Sequence, residues 1–379
     1  MAKPKIYKFL AATFVTLAIV ACVMYASLKN RHKAIVKTLF LYETGLVDSE
    51  WKFEKLVQEY NMISPEFMID GIYKSMEGPK SSRYVQLSQD TTLLWITGFE
   101  VKALDSKTMQ RISNDFICHT NIDINDVKYY SNFGLEDRIG KQYPRLTSLS
   151  HGLETFRFPE GYGVPMKGND LLFVTSESLN HNLADKTYWI RHEVTIEYLR
   201  SKRKMKPLMS RTAFVELPYD RNDPYKGPTD PGSNVCMPVE TKNHSYEDAN
   251  GNMMSGHWVI PPGTNIYWST INRHLQIKDS LRLHAAAVHV HPFATKISIF
   301  DKTMAQTVFY CNIINHKDRI GLEKVEDFVS QEGVWMYADH NYLMMLEVDN
   351  TTNEDQDMMG SMFLFFYDQE LESHLQHLQ

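Results

Sequence analysis

Hydrophobic positions along this chain fall into three textures. From Phe9 to Ser27 (FLAATFVTLAIVACVMYAS) nineteen residues pass without a charge. As a helix rising about 1.5 Å per residue, that run just spans a hydrocarbon layer of about 30 Å. From Lys29 to Met62 apolar residues, among them Ile35, Val36, Leu39, Phe40 and Leu46, recur at mixed three- and four-residue spacings, with no proline until Pro65. That spacing predicts a helical stalk over 29–63, leading out of the membrane. Beyond Pro65 the chain breaks into short runs rich in β-branched and aromatic residues, separated by Gly, Pro, Asn and Asp. Strands are predicted at 92–99 (TLLWITGF), 171–175 (LLFVT), 189–198 (WIRHEVTIEY), 285–291, 296–300 (KISIF), 342–348 and 362–367. Short strands punctuated by turns indicate β-sandwich architecture, not alternating βαβ units.

A single strong linker signal interrupts these runs. Residues 217–233 (LPYDRNDPYKGPTDPGS) hold four of the 15 prolines, two glycines and three aspartates. The expected organisation is therefore a membrane segment over 1–28, the stalk, a first β domain over 64–215, a linker over 216–233 and a second β domain over 234–372.

Composition narrows the function classes. Of 379 residues 43% are hydrophobic and 12% aromatic, which describes a globular β-rich protein. A net charge of −6 without a basic block argues against a nucleic-acid partner. Four cysteines (Cys22, Cys118, Cys236, Cys311) exclude a disulfide-dense scaffold, and whether Cys236 and Cys311 pair is open at this level. No GxGxxG or GxxxxGK[ST] occurs, so nucleotide-binding folds are set aside.

The N-terminal segment has three readings: an uncleaved anchor, a cleaved signal peptide, or a lipoprotein signal with Cys22 as the lipidated residue. Each puts the body outside the cytoplasm, in a periplasmic or extracellular location. Lys3, Lys5 and Lys8 before the run and Lys29, Arg31, Lys33 and Lys37 after it are too evenly balanced to orient it.

The local motif with the most chemistry is His289-Val290-His291. On a strand, residues two apart share a face, so both imidazoles can reach one metal ion. The alternative is two ordinary histidines on a polar face, since an HxH pair is a common chance occurrence in a chain with 15 His. A thioether near the late strand, from the Met358-Met359 pair, would favour copper over zinc, because soft sulfur selects Cu(I). Cys118-His119 and His181 are further candidates, with His151 and His192 behind them; no regular spacing links these.

These segments resemble the copper type II, ascorbate-dependent monooxygenases, the peptidylglycine α-hydroxylating monooxygenase-like family, and in particular its bacterial membrane-anchored members. AAAVHVHPFATKISIF is similar to the family's HxH strand, and NEDQDMMGSMFLFFYDQ to its methionine strand. SLSHGLETFRFPEGYGVPMKGNDLLFVTSESLNHN is similar to the stretch that ends in the third histidine of the first domain. GHWVIPPG belongs to the same likeness. The resemblance covers about residues 90–370. It implies an all-β fold of two tandem antiparallel jelly-roll sandwiches behind a transmembrane helix, with one copper per domain across a cleft. It implies His289, His291 and Met358 as the catalytic copper ligands, with Met359 as a one-residue alternative that would face the other way. It also implies a first-domain copper at His119 and His181, where Cys118 replaces one of two paired histidines. His151 takes a supporting role.

Two departures bear on substrate. Ala287 stands where the peptide enzymes carry a carboxylate-clamping arginine, and Gly360 and Met362 stand where that clamp has its polar partners. Without the guanidinium fork, peptide amidation is not expected. The expected activity is hydroxylation of an unknown, non-peptide small molecule with O2 and a reductant such as ascorbate. A copper-handling module and a metal-free envelope protein are the alternatives.

Overall fold

A computed structural model describes residues 3–200, 205–219 and 246–377. All seven predicted β runs lie in strands or at their ends, and the architecture is mostly β-sheet arranged in several sheets. The apolar segment forms one helix, Lys3–Ser27, of which Phe9–Ser27 is long and apolar enough to cross a membrane and is not buried anywhere. A membrane anchor and a signal sequence share that property.

The stalk differs from expectation. Helix continues only over Asn30–Glu43, and the chain then turns into two short strands, Lys52–Lys55 and Glu59–Ile63. The apolar spacing of 52–63 fits either period; pairing of Glu59–Ile63 with the long strand Tyr188–Leu199 decides for β. The short helix is tied to the body instead of standing off it: Ala34 is fully buried, and Lys37 bonds both Asp70 and Tyr73.

In the first half of the chain, a four-stranded sheet runs in the order Lys80–Val85, Leu172–Ser178, Ile117–Ile124, Arg145–Leu149. In the second half, a five-stranded sheet is built from Gly263–Thr270, Tyr342–Asn350, Ala294–Asp301, Gln306–Asn315 and Leu322–Val325. Between them a 12-stranded sheet passes through both halves. Its junction is narrow: Lys206 and Pro207 pair in parallel with Tyr162 and Gly163. The strand Lys206–Phe214, expected at the end of the first domain, instead pairs along seven residues with Gln356–Tyr367 of the second half. One hydrophobic cluster extends through both halves. Of the expected linker, only the part up to residue 219 lies within the described residues. Cys236 lies outside them.

Candidate functional site between the two halves

The site is set by the two faces of the strand Gln356–Tyr367. His289 is the partner of Ser361, and His257 is the partner of Met359. Alternation therefore puts Asp357, Met359 and Ser361 on the face of His257 and His289. That face looks toward the four-stranded sheet of the first half, which contributes His119, Asn121, Arg145 and Ser148. On the opposite face Met358 pairs with Trp258, both fully buried in the hydrophobic core. Gly360 on that side faces Leu346, Val215 and Ile297.

This corrects the expected ligand. Met358 turns into the core, and Met359, at 7% exposure, lines the histidine cavity. The clamp positions shift with it: Ser361 and Phe363, not Gly360 and Met362, face the site beside Ala287. A one-residue slip along a strand exchanges its faces, and two adjacent methionines hide that slip in the sequence.

The imidazoles form a chain of close ring contacts. His119 and His289 lie edge to face with centroids 5.9 Å apart, and His289 and His291 likewise at 5.7 Å. His257 and His291 follow at 6.0 Å. His291 stands one residue past the end of its strand, Ser280–Val290, with Nδ1 3.1 Å from Asp357 Oδ2. His181, in the turn after Leu172–Ser178, is under the electrostatic influence of His151, His291 and Asp357. Residues expected in two separate sites thus meet across the halves.

Cys118 is less well placed. Its side chain sits in a small separate cluster with Met76 and Leu179, and its sulfur accepts the Met76 N–H at 3.5 Å. The His119 Nδ1 is 3.3 Å from that sulfur. On the other edge of the ring, the Asn121 orientation that satisfies its neighbours has its amide oxygen accepting from His119 Nε2 (3.2 Å) and from Arg145. Arg145 is in turn held by Asp123, Nε to Oδ1 at 2.7 Å.

Burial disfavours the charged form of His289, His181 and His151. Burial, reinforced by His291, His119 and His257, drives the His289 pKa well below the usual imidazole value. Burial and the neighbouring His151 and His291 take His181 down to about 3. His151 is also lowered by burial, against the opposing effect of its Nδ1 bond to the Ile117 carbonyl at 2.9 Å. Burial alone would raise the Asp357 carboxyl, but His291, His257 and His181 outweigh it and hold it below the ordinary carboxylate range.

Among the described residues, His289 Nδ1, His181 Nε2, His151 Nε2 and Asp357 Oδ1 are buried here without a hydrogen-bond partner. Each such atom costs about 1–3 kcal/mol of lost hydration. Neutral imidazoles with bare nitrogens, a carboxylate and a thioether are the donor set of a borderline or soft transition-metal ion. The cavity lined by His119, His257, His289 and Met359 measures about 20 Å³, room for a water molecule or an ion but not for an organic substrate. Among the described residues, no three His, Cys, Asp or Glu side chains converge as a ready-made metal cage.

Sequence reading missed His257, Asp357 and Met76. His257 opens the strand His257–Ile260 within the GHWVIPPG segment, and Asp357 lies two residues before Met359, the spacing that shares a face. Met76 reaches the site from a loop and left no signal.

No family model and no characterised protein sequence matches this chain. Among solved structures, PNGase F, a glycosylasparaginase from Flavobacterium meningosepticum, aligns over 82% of this chain and 96% of its own at 9% identity, with a TM-score of 0.33. The major capsid protein P2 of bacteriophage PM2 aligns over 82% and 99% at 8% identity, with a TM-score of 0.29. Likenesses of that degree carry no argument about this chain.

Proposed function

We propose that the histidine cluster is a copper site and that the protein is a membrane-tethered, copper-dependent oxidoreductase of the ascorbate-dependent monooxygenase kind. The observation that supports this reading best is the gathering of His119, His257, His289, His291 and Met359 from both halves, with His289 Nδ1 and the nearby His181 Nε2 buried without a hydrogen-bond partner. The finer fold reading belongs with it: two tandem jelly-roll sandwiches joined side by side, with the body outside the cytoplasm.

In this reading His289 Nδ1 and His181 Nε2 present lone pairs, and Met359 adds a soft donor. Copper held there would supply one-electron redox chemistry. Asp357 fixes the His291 ring through Nδ1 and balances positive charge beside it. Asn121 and Arg145 orient His119. Ala287, Ser361 and Phe363 give the face no fork for a carboxylate, so a neutral substrate is favoured over a peptide acid.

The small volume of the histidine cavity also favours a second reading, a copper-binding protein without turnover. Ascorbate-driven oxygen consumption by the copper-loaded protein separates the two. Consumption that depends on copper and is lost in His289→Ala supports the oxidoreductase. Copper binding without consumption supports the second reading.

A further inference from the structure

Arg211 stands on the strand Lys206–Phe214 with only 8% of its surface exposed. Its Nε is buried without a hydrogen-bond partner, and its guanidinium makes no ion pair among the described residues. A charge that loses its hydration and gains no counterion is strongly unfavourable. A guanidinium cannot escape by giving up its proton. Burial does pull its pKa below the ordinary arginine value, with Tyr130 opposing and Arg138 adding to the effect. The carboxylate best placed to compensate, Asp368, is already taken. Arg138 engages both of its oxygens, and Oδ1 also accepts the Leu371 N–H at 3.0 Å.

Arg211 borders a cavity of about 620 Å³, the size of a small organic ligand. Of the other cations around it, Arg138 is compensated by Asp368 and Glu370, Lys141 lies 3.7 Å from Asp137, and Lys278 lines the cavity together with Asp279. Arg282 is held over the Trp335 ring at 4.3 Å, which makes a flat cationic-aromatic wall. Met209 and Leu281 add apolar surface. The cavity thus offers, among the described residues, a guanidinium with a buried, unpartnered Nε and no ion pair, beside a wall suited to an apolar body.

We propose that this cavity binds a small organic oxyanion, a carboxylate or a phosphate monoester carried on an apolar or aromatic body, with Arg211 as its bidentate anchor. The site is separate from the histidine cluster. Its anchor Arg211 pairs with Leu364, about 10 Å along the strand Gln356–Tyr367 from Ser361 at about 3.3 Å per residue and on the opposite face. It stands without the copper reading.

The test uses the full-length chain in detergent, titrated calorimetrically with phenylacetate, phenyl phosphate and the neutral phenylacetamide. At least one oxyanion is expected to bind saturably, and phenylacetamide is expected to bind at least about tenfold more weakly, as loss of a bidentate charged contact implies. The tighter of the two anions identifies the head group. Arg211→Met is expected to weaken oxyanion binding about tenfold or more, and to leave the unliganded melting temperature unchanged or raised, because it removes an uncompensated buried charge. Arg211→Lys keeps the charge without the fork and is expected to fall between. Equal binding of the amide, wild-type oxyanion affinity in Arg211→Met, or no binding of either anion overturns the proposal. So does unfolding of Arg211→Met, which would show that the guanidinium holds the fold together.

Discussion

His119, from the first half of the chain, and His289, from the second, meet edge to face with ring centroids 5.9 Å apart. A pair of residues expected in separate sites thereby becomes one contact, and the proposed copper site at His289 would then depend on a residue about 170 positions away in sequence. His119→Ala is expected to weaken copper affinity about tenfold or more, the scale for loss of a ligand or of its orienting partner. Competition titration against a chelator measures it. Unchanged affinity would separate the two histidines functionally.

The two adjacent methionines should behave oppositely. Met358→Ala empties a fully buried core position and should cost about 2–5 kcal/mol of stability, with copper affinity kept. Met359 is buried but borders the cavity and not the core, so Met359→Ala should cost less stability than Met358→Ala and weaken Cu(I) binding more than Cu(II). Chemical denaturation and copper titration on both variants check the contrast, and the reverse pattern would restore Met358 as the ligand.

That contrast shows where sequence was legible. Short β-branched and aromatic runs became strands because pairing and burial favour the same residues at every one of them. HxH was readable because the two-residue spacing brings the rings together even though His291 lies just past the strand end. Which methionine faces them depends on register against His257 and His289, a property of three strands far apart in sequence. The 52–63 hairpin was read as helix because its spacing fits both periods, and only the partner strand Tyr188–Leu199 resolves it. The merging of two expected sites depends on how the halves pack, which no local pattern encodes.

Stability should fall with acid. His192 is fully buried between Ser176 and Ser178, its Nδ1 2.7 Å from the Ser176 hydroxyl, and burial lowers its pKa to about 3. The unfolded chain takes up a proton near pH 6.5 that the folded chain refuses, so this contribution is present above that pH. It is lost as pH falls toward about 3, at about 1.4 kcal/mol per pH unit. Melting temperature from pH 7 to 4 is expected to drop, and His192→Gln should flatten the dependence. An equal slope in the variant would assign the acid lability elsewhere.

The apolar helix should govern partitioning. Full-length chain is expected in the membrane fraction, and a chain beginning at Asn30 in the soluble fraction, because Phe9–Ser27 exposes apolar surface along its whole length. Ala34 and Lys37 stay with the body in the shorter chain and keep its first helix docked. Equal partitioning of the two chains would remove the anchoring role.

Copper content tests the central claim most directly. The purified protein, loaded with copper under reducing conditions and freed of excess metal, should retain at least one copper per chain, with nitrogen and sulfur neighbours visible by X-ray absorption. His289→Ala should lose that copper while remaining folded by circular dichroism. A folded wild-type protein that retains none, or a His289→Ala variant that retains as much as the wild type, would contradict the account.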